Sequence, residues 1–388
     1  MERPLPALSY ARLNRHEIAG SLGDLGTFLP LLLAMSAQNG LDFAAGFFFA
    51  GLFNVVTGVI FAIPMAVQPM KAIAAVALTE GLSAGQIVAA GASVSACVLV
   101  LGLTGLIDVV NRVVPRSVVR GVQLAVGLSL LMKGVLMVVA TKTVLAADGY
   151  LTAVLSLGVV LALARRREIP AALVLFCAGL GLAAWKTPEA LRSLSTGLWL
   201  PHWSPPRWVD FKTSFPKAAL PQIPLTTLNS VVAVCALSVD LFPDRPAKTK
   251  WVSTSVGLMN LVGAPFGAMP MCHGAGGLAG QYRFGARTNG SVLFLGGIKM
   301  VLAVVFGGSM MGLCRAFPAS ILGVMLGFSG IELSRVARDQ TKTAAAVVMI
   351  TTTVTSLAMN NVAVGFVAGL AAAVVLRPGA SGFTEGSP

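Results

Sequence analysis

Apolar residues fill runs of roughly 20 positions along this chain, broken by short clusters of Gly, Pro and charge; such runs predict helices that cross a hydrocarbon core of about 30 Å. They lie near 17–37, 42–62, 86–107, 116–140, 149–164 and 169–185, and again near 219–241, 250–266, 289–312, 317–334, 342–358 and 360–376. Two more apolar segments are interrupted in their middle. They are Ile63-Pro64-Met65-Ala66-Val67-Gln68-Pro69-Met70-Lys71 and Met269-Pro270-Met271-Cys272-His273-Gly274-Ala275-Gly276-Gly277. The stretches 64–80 and 270–284 are too short to cross as helix alone, so each is predicted to be an extended strand plus a half-helix. Counted as segments 3 and 10, they bring the prediction to fourteen transmembrane segments in an all-α membrane protein.

The two halves can be laid over one another at two places. Pro64-Met65 and Pro270-Met271 are 206 residues apart, and Pro115-Arg116-Ser117 and Pro318-Ala319-Ser320 are 203 apart. A unit of seven segments is odd, so its second copy enters the membrane the opposite way, which predicts a 7+7 inverted repeat. The resulting division is a cytoplasmic N-terminus (1–16), a first repeat (17–186), an extracytoplasmic linker (187–218), a second repeat (219–376) and a cytoplasmic tail (377–388).

Composition agrees with the pattern. Hydrophobic residues make up 56% and charged residues 11%, with a mean hydropathy of +0.82, whereas soluble domains carry about 25% charge. The net charge of +13 is spread over short loops rather than gathered on a patch, which argues against a nucleic-acid partner. With the termini cytoplasmic, inside loops hold eighteen of the 28 basic residues, among them the Arg165-Arg166-Arg167 triad, and outside loops hold seven. The positive-inside rule therefore sets the orientation. No cleavable signal precedes the first span. The five cysteines show no paired spacing and the three histidines are scattered, so neither a disulfide framework nor a metal site is expected. Short loops and the lack of an organelle signal point to a bacterial inner membrane.

Irregular backbone at membrane depth is tolerated where it lines a cavity, so two breaks at matching positions predict a transport site. Pro69 suits the first position of a helix, with Gln68 as its cap. The amides of Met70, Lys71 and Ala72 would then face the membrane middle. In the second copy, Gly274, Gly276 and Gly277 let backbone N–H groups approach a ligand closely. Two helix N-termini of roughly +0.5 each and the ammonium of Lys71 sum to about +2, which a small tetrahedral dianion would neutralise. Asp24 and Thr27 form a polar patch, Gly23-Asp24-Leu25-Gly26-Thr27, in an otherwise apolar span. Asp24 is expected either to pair with Lys71 in the empty state or to carry a coupling proton. The eighth span adds Gln222, Thr226, Thr227, Asn229 and Ser230 as a matching stripe. Lys133 and Lys299 are read as structural, with carbonyls or Glu332 for partners. No G-x-x-x-x-G-K-[ST] motif and no nucleophile–base pair occur, so neither an ATP-driven pump nor an enzyme is expected.

At these residues the chain resembles the molybdate transporter family related to sulfate permeases (the SulP superfamily). The matching strings are Gly20-Ser21-Leu22-Gly23-Asp24-Leu25-Gly26-Thr27-Phe28-Leu29-Pro30, Gln68-Pro69-Met70-Lys71-Ala72-Ile73-Ala74-Ala75 and Met271 through Arg287, which includes His273, Gly274, Ala275, Gly276 and Gly277. The resemblance implies a core domain (spans 1–4 and 8–11) that moves against a gate domain (5–7 and 12–14). It also implies a substrate between half-helices 3 and 10; the candidate binding residues there are Asp24, Thr27, Gln68, Met70, Lys71, Asn229, His273 and Gly274 to Gly277. Sulfate permeases carry a C-terminal STAS domain, and here only Pro378–Pro388 follows Arg377, so no such domain is expected. The function implied is secondary-active import of molybdate without a cofactor, by a monomer or homodimer. The alternatives are a sulfate or general oxyanion permease, an anion channel and a nucleobase permease; Lys71 and the helix ends favour an anion over a neutral base.

Overall fold

The computed structural model describes residues 10–164, 171–192 and 195–376. Arg3, the Arg165-Arg166-Arg167 triad, Arg377 and the tail 377–388 lie outside the described residues. Among the described residues seven helices are long and apolar enough to cross a membrane: Arg15–Asn39, Phe43–Phe61, Ala84–Thr104, Arg116–Val139, Trp208–Leu241, Gly290–Met310 and Ala319–Asp339. Four shorter apolar helices follow the same hydropathy pattern, Tyr150–Leu163, Ala171–Lys186, Thr343–Ala358 and Val362–Val375. Many of their large apolar side chains, such as Leu136, Leu155, Leu161 and Val367, point outward, as expected where the outer solvent is lipid rather than water.

Local chemistry fixes the helix ends. Asp42 caps the Phe43–Phe61 helix by accepting from the amides of Ala44 and Ala45. Ser83 and Gln86 form a capping box at the start of Ala84–Thr104, and that helix stops at Gly105 with φ 75°. Asp148 reaches across the fold to accept from Ala319 (3.0 Å) and Ser320 (2.8 Å), capping a helix whose own N-cap, Pro318, has no side chain for the task. One expected boundary moves. The linker does not stay irregular to residue 218, because helix begins at Trp208, where Asp210 accepts from the Arg207 amide at 2.8 Å. Hydropathy misses this turn because it carries Asp210 and Lys212.

Packing repeats under exchange of the two halves. The Phe43–Phe61 helix lies on Gly290–Ala316, Ala84–Thr104 lies on Thr249–Gly263, and Arg116–Val139 lies on Ala319–Ser334. With the halves about 204 residues out of register, the first pair turns into the second and the third maps onto itself. A two-fold relation between halves requires this. The first pair meets without side chains: a Cβ on Gly51 would sit 2.6 Å from the Gly296 carbonyl, and one on Gly296 equally close to that of Gly51. Small residues at helix contacts give the close dispersion packing on which association in lipid depends.

Candidate functional site

The two interrupted segments meet at the centre. After Phe61 the chain turns through Ala62 (φ 57°), runs extended, and forms β1 (Val67–Pro69) before the ten-residue helix Lys71–Glu80. After Gly267 (φ 70°) it forms β2 (Met271–His273) and the nine-residue helix Ala275–Arg283. β1 and β2 are antiparallel, with Val67 opposite His273, Gln68 opposite Cys272 and Pro69 opposite Met271. The Met70 amide continues the ladder to the Pro270 carbonyl at 2.9 Å. Each strand feeds a helix from its own C-terminal end, so the two helices leave opposite ends of the ribbon. Their N-termini lie at the two ends of this short ribbon, on the order of 10 Å apart along it.

A two-stranded ribbon leaves backbone groups on its outer edges, and in a dry interior these need partners. Two asparagines supply them. The Val67 amide donates to Asn54 Oδ1 at 3.2 Å. On the other edge the Met271 amide donates to Asn260 Oδ1, while Asn260 Nδ2 donates to the Met271 carbonyl, both at 2.6 Å. Asn54 and Asn260 are 206 residues apart, the spacing of Pro64 and Pro270. That coincidence, two buried amides inside apolar helices, is a sequence signal that periodicity reasoning passes over.

The expected site residues separate into two groups. Gln68, Met70, His273, Gly274 and Gly277 are buried within the ribbon and its packing, whereas Thr27, Lys71, Asn229 and Ala275 are half-buried and Gly276 is exposed. Gln68 Nε2 donates to Thr27 Oγ1 at 2.9 Å, tying β1 to the first span. The rest of its carboxamide fills the space left by two glycines. A Cβ on Gly274 would collide with Gln68 Oε1, and one on Gly277 would lie 2.8 Å from Gln68 Cδ. Gly276 differs, since a Cβ there meets nothing within 4 Å. Of the three glycines it is the one that opens onto empty space. Asp24 ends the 3-10 turn Leu22–Asp24, and its side chain lies outside the described residues.

His273 is fully buried, edge-on to Phe61. Its Nδ1 lies 3.2 Å from the Ala66 carbonyl and its Nε2 2.9 Å from Ser255 Oγ. A carbonyl only accepts, so Nδ1 carries the proton and Nε2 accepts from the Ser255 hydroxyl, which fixes the neutral tautomer. Cys272 takes a hydrogen bond from Ser230 Oγ at 3.2 Å, joining the ribbon to the long Trp208–Leu241 helix. That helix passes through two π-helical stretches, Phe215–Ala219 and Thr226–Val232. Prolines 216, 221 and 224 remove backbone donors along it.

Two expectations about the first half-helix are corrected. Pro69 belongs to β1, and Met70, not Gln68, occupies the N-cap position, because pairing with β2 holds the chain extended two residues further. The amides of Met70 and Ala72 do not face an open cavity. Met70 bonds to Pro270, and Ala72 and Ile73 donate to Gln222 Oε1 at 2.8 and 3.3 Å. Lys299 has its ammonium 3.7 Å from the centre of the Phe28 ring, while Glu332 is taken by Arg335 at 2.8 Å. Among the described residues no group of three His, Cys, Asp or Glu is placed to hold a metal ion.

The family model described as "Molybdate transporter of MFS superfamily" matches residues 16–130 and 214–333. "Molybdate transporter 2" of Arabidopsis thaliana is 40% identical, the alignment covering 93% of this chain and 87% of the relative. The transmembrane domain of a cyanobacterium bicarbonate transporter, BicA, superposes with a TM-score of 0.66 at 16% identity, covering 93% of this chain and 97% of that one. Murine Slc26a9, an anion transporter solved in its inward-facing state, gives 0.69 at 14% identity over 96% and 70%. The two structural likenesses speak for the fold alone.

Proposed function

We propose that this chain, which belongs to the molybdate transporter family, imports molybdate as a secondary-active carrier that exposes one central site alternately to the two sides of the membrane. The observation that carries this reading is the antiparallel ribbon with a helix start at each end, Lys71 at one and the open Gly276 at the other. Lys71 contributes a full positive charge, and the first amides of Ala275 and Gly276 have no intrahelical acceptor. A dianion placed between them is attracted without a soluble counterion. Thr27 and Asn229, both partly accessible, complete the polar lining, with Gln68, Met70, His273, Gly274 and Gly277 as the scaffold beneath it. In this scheme Asp24 carries a coupling proton or pairs with Lys71 when the site is empty.

The finer architecture is the fourteen-segment inverted repeat, with the ribbon helices as segments 3 and 10. The exchange symmetry of helix packing and the Asn54/Asn260 pair support it. Its segments group into a core that holds the ribbon and a gate built on the Arg116–Val139 and Ala319–Ser334 pair, and substrate crosses as one slides against the other. A cytoplasmic location for both termini, a bacterial inner membrane and a homodimer complete the proposal.

Calorimetric titration of the purified protein with molybdate, with and without excess sulfate, is the test. Wild type should bind, and Lys71→Ala should weaken molybdate by at least about tenfold, the equivalent of one charge-assisted hydrogen bond. Binding untouched by the substitution puts the site elsewhere. Equal displacement by sulfate makes the protein a general oxyanion carrier.

A further inference from the structure

The two helix starts are not equivalent, although the repeat would make them so. Gln222, 1% exposed, places its side-chain oxygen 2.8 Å from the Ala72 amide and 3.3 Å from that of Ile73. Its Nε2 donates to Thr226 Oγ1 at 2.8 Å, so the carboxamide is oriented from both ends. A neutral oxygen from the protein itself sits on the first helix as an oxyanion oxygen would. Among the described residues no side chain accepts from the Ala275 or Gly276 amides in this way, and a Cβ on Gly276 would meet nothing within 4 Å.

We propose that Gln222 is a specificity-determining residue, a tethered stand-in for an oxyanion oxygen that closes the first helix start and leaves the substrate to Lys71 and the second. This rests on the central transport site proposed above. The consequence is a site with few N–H donors. An anion entering it gives up water and recovers only part of the lost hydrogen bonding, and the penalty grows with the strength of hydration. Sulfate, smaller and more tightly hydrated, loses more than molybdate. The side chain that closes the helix thereby favours the larger dianion.

Calorimetry with molybdate and with sulfate on wild type, Gln222→Ala and Gln222→Glu tests this. Gln222→Ala releases two donors and adds room, so the ratio of sulfate Kd to molybdate Kd should fall by about tenfold, the worth of one or two hydrogen bonds. A purely structural cap predicts that both constants rise by the same factor and the ratio stays put, which overturns the proposal. Gln222→Glu keeps the acceptor for both amides and serves if the alanine variant does not fold. Its negative charge beside Lys71 should weaken both anions by at least about tenfold; binding equal to wild type overturns the proposal. Wild-type protein that binds neither anion refutes the transport reading and this inference with it.

Discussion

Gly274 and Gly276 lie two residues apart, and a methyl group would meet quite different surroundings at each. At Gly276 it enters open space, so Gly276→Ala should fold and melt like wild type while molybdate affinity drops, read by calorimetry beside a thermal scan. At Gly274 it meets Gln68 Oε1. Gly274→Ala should displace the Gln68 carboxamide, break its bond to Thr27 and lower the melting temperature together with affinity. Identical behaviour of the two variants would show that the glycines share one role. Asn260 carries a heavier structural burden, because it serves both polar groups of Met271. Asn260→Leu leaves a buried donor and a buried acceptor unmade, at about 1–3 kcal/mol each. Its melting temperature should fall by several degrees, and saturating molybdate should not restore it to the wild-type value.

Among the helices, contact is governed by what can be left out. Gly296 and Gly297 are neighbours on the Gly290–Ala316 helix, yet only Gly296 faces the Gly51 carbonyl, at 2.6 Å from where its Cβ would be, while a Cβ on Gly297 meets nothing. Gly296→Leu should cost about 1–3 kcal/mol by forcing the pair apart, and Gly297→Leu about nothing beyond ±0.5. Thermal unfolding of the two variants in one detergent separates them. Equal stability would mean that this helix contact is looser than its geometry. The cap supplied by Asp148 is a second connection at this scale, since it fixes the start of Ala319–Ser334 from a loop after Arg116–Val139. Each of these features holds an element in place without touching the site.

For the molecule as a whole, the proposed alternating access has the core move against the gate. Gln38, at the end of the first span, donates to Met137 Sδ at 3.2 Å on the Arg116–Val139 helix, so the two bodies touch well away from the ribbon. Cysteines at both positions, Gln38→Cys with Met137→Cys, joined through mixed disulfides by a short bis-methanethiosulfonate linker, should abolish molybdate uptake into proteoliposomes and leave binding intact. Reductive cleavage of the linker should restore uptake. Uptake that continues through the cross-link would rule out a relative displacement of these two helices.

Much of this organisation was legible in the chain itself. Apolar runs located the long helices because a side chain facing lipid and one facing another helix are both apolar, and the prolines and glycines at 64–71 and 270–277 marked where helix cannot continue. The 206-residue spacing of Pro64 and Pro270 recurs in Asn54 and Asn260, which bond the two edges of the ribbon. Cap chemistry and partner choice were not legible, because they depend on which residues meet across the fold. Pro69 reads as a helix start until β2 is seen to hold it in a strand, and His273 reads as a ligand until Ala66 and Ser255 are seen to occupy both its nitrogens. Gln222 reads as one polar residue in a stripe, and only the approach of the Trp208–Leu241 helix to Ala72, 150 residues earlier, makes it the cap of the first half-helix. Hydrophobic period and backbone stiffness are local properties that sequence alone determines; which buried donor finds which acceptor is decided where distant segments pack, and here that places Gln222 on the first amides of the Lys71–Glu80 helix.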